Sequence, residues 1–160
     1  MEKVKTLFIC TGNSCRSQMA EGFLHQLAGD RFAAYSAGSF PSDSIHPLAV
    51  KVMAEMGVDI SRNKTKNLNT FLHEPWDMII TVCDKAKENC PVFPSQKVTA
   101  HWGFEDPAEF EGTEEKTIRF FRKIAGEILF RVRLLIAVKQ NELNAQYQEE
   151  VRRIGTASAT

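Results

Sequence analysis

Apolar residues along this chain fall into short dense runs separated by longer periodic stretches. Thr6-Leu7-Phe8-Ile9-Cys10 is a dense run that ends in a Gly/Asn/Ser loop, and it predicts a buried strand. After Ser17, apolar residues recur at Met19, Ala20, Phe23, Leu24 and Leu27, the spacing of one helix face, with Ser17 placed to cap it. Phe32 to Ala37 predicts a second strand, closed by Gly38. Pro47 opens a helix with Leu48, Ala49, Val52, Met53 and Met56 along one side. Met78 to Val82 is a third strand that leads straight into Cys83, and Val98 to His101 is a fourth. Thr113 is placed to cap a long amphipathic helix running to about Gln140, with Ile118, Phe121, Ile124, Ile128 and Val132 on its packing stripe.

Strands that alternate with helices predict a single α/β domain: a four-stranded, parallel, twisted sheet with helices on both faces. Residues 1–140 are assigned to this domain. Residues 141–160 are read as a polar C-terminal extension, partly helical or disordered, with a frayed end. Ligands of such sheets bind beyond the C-terminal ends of strands. Cys10 and Cys83 both end predicted strands, so they are expected at the same edge of the sheet although far apart in sequence.

Length and charge narrow the picture further. With 160 residues the chain is long enough for one core and short for two. Lys+Arg and Asp+Glu both total 20, so no global field favours nucleic acid or a membrane surface, and any anion site must be local. No stretch approaches the ~18 apolar residues of a membrane helix. The first apolar run, Leu7 to Cys10, is too short for a secretory signal. The expectation is a cytoplasmic protein with no nucleic-acid or membrane partner. It is expected to be a monomer, with the apolar stretch from Phe130 to Val138 as the candidate contact should it dimerise.

Four cysteines, Cys10, Cys15, Cys83 and Cys90, then change the reading. In a reducing compartment cysteines are catalytic, metal-binding or buried filler rather than staples. No Cys-x2-Cys pair occurs, which argues against zinc. His25, His46 and His73 have no ligand spacing and are read as surface residues.

Cys10-Thr11-Gly12-Asn13-Ser14-Cys15-Arg16-Ser17 lies between a predicted strand and a predicted helix. A short loop there points backbone N–H groups inward, and the helix start adds positive potential. Gly12 and Asn13 best tolerate positive φ in such a cradle. Arg16 offers a planar fork of donors for a tetrahedral oxyanion. Cys10 would sit beneath that anion, where the same dipoles lower a thiol pKa, and Ser17 is placed to donate to its sulfur. The expected oxyanion-binding residues are therefore Thr11, Gly12, Asn13, Ser14, Cys15 and Arg16. The plainer alternative makes Cys10 a core residue and Arg16 a surface one.

The run from Phe8 to Glu21 resembles the signature of low-molecular-weight tyrosine phosphatases and of thioredoxin-coupled arsenate reductases. Gln18-Met19-Ala20-Glu21, Tyr35-Ser36-Ala37-Gly38 and His101-Trp102-Gly103-Phe104 with Asp106-Pro107-Ala108 resemble the reductases more closely. Val82-Cys83-Asp84-Lys85-Ala86-Lys87-Glu88-Asn89-Cys90-Pro91 is similar to their redox segment. The resemblance implies a three-thiol reaction on arsenate. Cys10 forms the adduct, Cys83 attacks it to release arsenite, and Cys90 takes the disulfide for thioredoxin to reduce. It assigns Asp106 as general acid, with Glu105 the rival carboxylate, and gives Cys15 no required role. No bound cofactor is implied; the cysteines are the redox group. A tyrosine phosphatase and a non-catalytic oxyanion or redox sensor remain the alternatives. The phosphatases usually carry a tyrosine soon after Asp-Pro, where this chain has only Phe110 nearby.

Two further expectations follow. Seven helical residues span two turns and rise about 10 Å, so Cys83 and Cys90 would share a helix face yet be too far apart for a disulfide. The segment would then have to unwind to close one. Separately, some of the reductases bind potassium; Asn13, Glu21 and Ser36 match three ligand positions, but Lys66 stands at the fourth, where the family has Asp. Its ammonium is expected to replace the ion and pair with Glu21.

Overall fold

The structure is a computed structural model that describes residues 2–94, 96–139 and 143–158. Residues 140–142 and 159–160, where the long helix was expected to end and the tail to fray, lie outside it. Its strands are β1 (Val4–Cys10), β2 (Phe32–Gly38), β3 (Met78–Thr81) and β4 (Val98–His101). Its helices are α1 (Arg16–Ala28), α2 (Pro47–Glu55), α3 (Asp84–Asn89), α4 (Glu114–Ala137) and α5 (Ala145–Ile154). All strand pairings are parallel, in the order β2-β1-β3-β4. The expected parallel sheet flanked by helices is present.

β1 is central, and Leu7, Phe8 and Ile9 are fully buried, as a strand covered on both faces requires. The chain leaves β1 for β2 on one side and returns to β3 on the other. The loops after β1 and β3 therefore part, and a crevice opens between them. Ile9 pairs with Thr81, which brings Cys10 and Cys83 to the same end of adjacent strands.

α1 packs on β1, β2 and α4, and α2 packs on α4. The predicted stripe of α4 is buried, and the Thr113 hydroxyl caps the helix by accepting from the Lys116 N–H at 3.2 Å. In the Phe130–Val138 stretch, Val132 and Leu135 are core residues, and Leu134, Ile136 and Val138 are partly buried against them. Among the described residues no helix is long and apolar enough to cross a membrane.

The C-terminal extension contributes α5, which lies along the edge strand β4. The Gln148 side chain accepts from the Thr99 N–H at 3.3 Å, and Arg152 Nε donates to the Thr99 carbonyl at 3.1 Å. Two side chains thus stand in for a missing neighbour strand. Trp102, fully buried, donates from Nε1 to the Val151 carbonyl at 3.0 Å and pins the end of β4 to the same helix.

Two local expectations are corrected. Ser17 does not cap α1: the helix begins at Arg16 with Cys15 as its N-cap residue, and Ser17 is buried inside the first turn. His46 is not a free surface residue. Its Nδ1 accepts from the Leu48 N–H at 3.1 Å to cap α2, and its ring lies 4.7 Å from that of Phe121. Burial holds His46 below the usual histidine range, against the opposing pull of Asp106. His25 and His73 are exposed, as expected.

Candidate active site

The cradle takes its shape from hydrogen bonds the linear sequence does not show. The carbonyls of Cys10, Thr11, Gly12 and Ser14 accept from the N–H groups of Ser39, Phe40, Ser42 and His46, at 2.9–3.3 Å. With its carbonyls turned outward to the β2–α2 loop, the segment turns N–H groups inward. A Cβ on Gly38 would sit 2.4 Å from the Thr11 carbonyl oxygen, so this contact requires glycine. Of the two residues expected at positive φ, only Asn13 is there, at 52°. At Gly12 a Cβ would meet the hydroxyl of the exposed Ser42 at 2.8 Å, a contact that rotation of that side chain relieves.

Asn13 is fully buried and satisfied. Its amide nitrogen donates to Ser17 Oγ at 2.8 Å and Ser36 Oγ at 3.0 Å. Its Oδ1 accepts from Gln18 Nε2 at 3.0 Å and the Lys66 N–H at 2.9 Å. Its own backbone N–H points at the Cys10 sulfur, 3.1 Å away. Asn13 thus braces the loop through its side chain and addresses the nucleophile with its N–H, while its neighbours Thr11, Gly12 and Ser14 line the cavity.

Cys10 is buried, with Ser17 Oγ 2.8 Å from its sulfur. The expected lowering of its pKa is not what prevails. Burial pushes the thiol up, while the Ser17 hydroxyl and N–H, the Arg16 charge and the Asn13 N–H pull it down. Cys15 is buried within the same loop and is pushed up by burial to about 12, a neutral thiol.

Arg16 is nearly buried, with Nη1 donating to the Phe104 carbonyl at 2.9 Å and Nη2 3.4 Å from Asp106 Oδ2. The other Asp106 oxygen accepts from the Ala108 N–H at 3.0 Å, which fixes the carboxyl at the start of the turn Pro107–Glu109. Glu105 is exposed.

Cys83 follows β3 and is buried, 3.5 Å from the Thr11 hydroxyl. It is the N-cap residue of α3, and its sulfur accepts from the Ala86 N–H at 3.4 Å. A cavity of about 500 Å³ is lined by Cys10, Thr11, Gly12, Ser14, Cys15, Arg16, Cys83 and Asp106, among others. Cys90 is elsewhere. It is the C-cap residue of α3, and it lines a separate cavity of about 480 Å³ with Lys87, His101 and Arg152. The expectation of a shared helix face fails because both cysteines are extended cap residues, outside the helical repeat. Burial pushes Cys90 up. All four thiols are free.

Beside the cradle, Lys66 Nζ lies 3.6 Å from Glu21 Oε1. Burial pushes the Glu21 carboxyl up, and Lys66 opposes it most. No group of three or more His, Cys, Asp or Glu placed to hold a metal exists among the described residues. Sequence reasoning missed Phe40, 78% exposed at the cavity mouth, and Ser42 beside it. Neither lies in a motif; only their bonds to the cradle reveal them. Phe110 stacks on Phe120 with ring centroids 4.9 Å apart and does not line the cavity.

This geometry, a buried thiol at the foot of a loop with outward-tied carbonyls and a paired arginine and carboxylate beside it, has close counterparts. The low molecular weight phosphotyrosine protein phosphatase family matches residues 5–149. The chain belongs to this family. Within the phosphatase family it sits with the arsenate reductases. An arsenate reductase of Halalkalibacterium halodurans is 44% identical over 133 residues, which cover 83% of this chain and 95% of that one. The solved structure of an arsenate reductase in the phosphate binding state superposes with a TM-score of 0.68 at 34% identity, covering 85% of this chain and 98% of that one. A thioredoxin-dependent arsenate reductase of Corynebacterium glutamicum is similar with a TM-score of 0.57 at 31% identity, covering 82% of this chain and 63% of that one.

Proposed function

We propose that this member of the family reduces arsenate to arsenite through Cys10, Cys83 and Cys90, with thioredoxin as the electron donor. The observation that carries the proposal is the Cys83 sulfur, 3.5 Å from the cradle residue Thr11 and lining the same cavity as Cys10. A phosphatase has no need of a second thiol there.

Arsenate docks on the inward amides and Arg16, which exchanges part of its contact with Asp106 for the oxyanion. The buried Cys10 proton passes to an arsenate oxygen, and the Asn13 N–H and Ser17 hydroxyl hold the resulting thiolate. The sulfur attacks arsenic, and an oxygen leaves as water with a proton from Asp106. Cys83, held by the Ala86 N–H and Thr11 hydroxyl, then attacks the Cys10 sulfur while its proton passes to the carboxylate that Asp106 has become in the same cavity. The S–S bond forms, the S–As bond breaks, and its electron pair reduces As(V) to As(III). Cys90 attacks the Cys83 sulfur and frees Cys10. Because Cys83 and Cys90 line different cavities at opposite ends of α3, that step unwinds the helix. The dithiol of thioredoxin reduces Cys83–Cys90 by the same exchange.

The Lys66 ammonium takes the place of a monovalent cation beside the cradle, where it meets the partly buried Glu21. Activity at constant ionic strength is then indifferent to potassium, and a steep rise with potassium contradicts this part. The cradle has no means of excluding aryl phosphates, so slow ester hydrolysis accompanies reduction. Cys83→Ser is the direct test: arsenite production coupled to thioredoxin falls below detection while hydrolysis of 4-nitrophenyl phosphate persists. If the variant keeps both activities, the three-thiol scheme is wrong.

A further inference from the structure

Arg131 lies on α4 and does not line the cradle cavity, and the proposed reaction makes no use of it. Its contacts nevertheless lead there. Nη1 donates to the Gly103 carbonyl at 2.8 Å, and the guanidinium lies 4.4 Å from the centre of the Phe104 ring. The Phe104 carbonyl accepts from Arg16 Nη1 at 2.9 Å. Two residues further on, Asp106 Oδ2 is 3.4 Å from Arg16 Nη2. One stretch of chain, 103–106, is thus gripped by an arginine on each side: Arg16 from the cradle and Arg131 from α4.

The Phe104 ring is buried in the core, and on the α4 side it is Arg131 that holds the backbone around it. On that side the stretch borders a second cavity of about 370 Å³, lined by Gly103, Phe104, Glu105, Phe130 and Arg131. Gly103 is exposed and brings no side chain of its own. A planar guanidinium can stack on a ring while donating to a carbonyl beside it, which an ammonium does less well. Without that grip the exposed backbone at Gly103 and Glu105 can shift into that cavity, and Asp106 is carried with it. Small displacements of a proton donor are costly, because general acid catalysis demands hydrogen-bond reach to the leaving oxygen.

We propose that Arg131 is a positioning residue for the general-acid step: it holds residues 103–106 so that Asp106 reaches the oxygen leaving arsenic. The proposal rests on the reading of Asp106 as the acid, and the experiment separates the two. Arsenite formed in a single turnover at saturating arsenate is timed for the unaltered chain, Arg131→Met, Asp106→Asn and the double variant. Reaction of Cys10 with iodoacetamide is timed alongside as a check that the cradle is intact. The Arg131→Met rate falls about tenfold, a part of the 10²–10⁴-fold that a general acid contributes and that Asp106→Asn forfeits. The double variant is no slower than Asp106→Asn, because the grip has nothing left to position. Cys10 alkylation stays within about twofold, as expected for a change that leaves the cradle untouched.

An unchanged Arg131→Met rate overturns the proposal, and so do losses that multiply in the double variant or a matching loss of alkylation. A full rate in Asp106→Asn removes the acid reading, and Arg131's role with it; no arsenite from the unaltered chain removes the proposed function itself. Should Arg131→Met not fold, Arg131→Lys, which keeps a charge and a donor for Gly103, takes its place in the same cycle. It is expected to lose less, and the same patterns decide.

Discussion

The cradle after β1 and the redox segment after β3 are both short connections that begin with a cysteine, yet they are held in opposite ways. In the cradle, four outward bonds tie the carbonyls of Cys10, Thr11, Gly12 and Ser14 to the β2–α2 loop, and Asn13 spends every polar atom of its side chain inside the protein. In the redox segment, α3 has six residues, of which only Ala86 is buried. The Cys90 thiol donates to the Pro91 carbonyl next to it, and Val92 is 89% exposed. A helix so short has little stability of its own. In the proposed reaction the nucleophile Cys10 is thus held by a braced loop, whereas Cys83 and Cys90 sit at the two ends of a helix that is cheap to open.

That contrast can be broken by substitution. Asn13→Ala leaves Ser36, Gln18 and the Lys66 N–H without their partner and puts a Cβ-bearing residue with no polar side chain at positive φ. A loss of about 3 kcal/mol in urea unfolding is expected. A loss below about 1 kcal/mol would show that the cradle is braced elsewhere.

Lys66→Met tests the same bracing through charge. Burial raises the Glu21 pKa, so the folded protein holds that proton to higher pH than the unfolded chain. The group's contribution to stability is complete below its unfolded pKa and is lost as pH rises through its folded one. Removing Lys66 raises the folded value further and enlarges the loss. The variant is therefore less stable by about 1 kcal/mol at neutral pH and matches the parent once Glu21 is protonated in both. Urea unfolding at neutral and at acid pH checks this.

The redox segment is expected to respond least in stability and most in rate. Glu88→Gly weakens the exposed face of α3 by about 1 kcal/mol or less. Diamide oxidation to Cys83–Cys90, followed by mass, then runs up to about fivefold faster. A slower rate would mean that the helix aids closure rather than opposing it.

Where the chain's chemistry is local, it is legible in the residues. The strands, the stripe of α4 and the position of the cradle between strand and helix follow from periodicity and from a compact motif. What is not legible is set by contacts across the fold. Ser17 reads as a cap, but the shape of the loop sends its hydroxyl to Cys10. Charges and dipoles around Cys10 predict a lowered pKa, but the depth of burial is invisible until neighbours are placed. The seven-residue step from Cys83 to Cys90 reads as a common helix face only if the helix includes them, and it stops one residue short at each end. The polar tail reads as partly helical, but the packing of α5 is not legible, because its partner is the open edge of β4 as well as the core.

In the proposed reaction Cys83 accepts the bond from Cys10 while arsenic takes the electrons. This step is tested most directly in Cys90→Ala, fully reduced, freed of reductant and given one dose of arsenate. A single equivalent of arsenite and a Cys10–Cys83 disulfide in the peptide mass map are expected. Arsenite without that disulfide, or a disulfide joining Cys10 to Cys15 instead, contradicts this step.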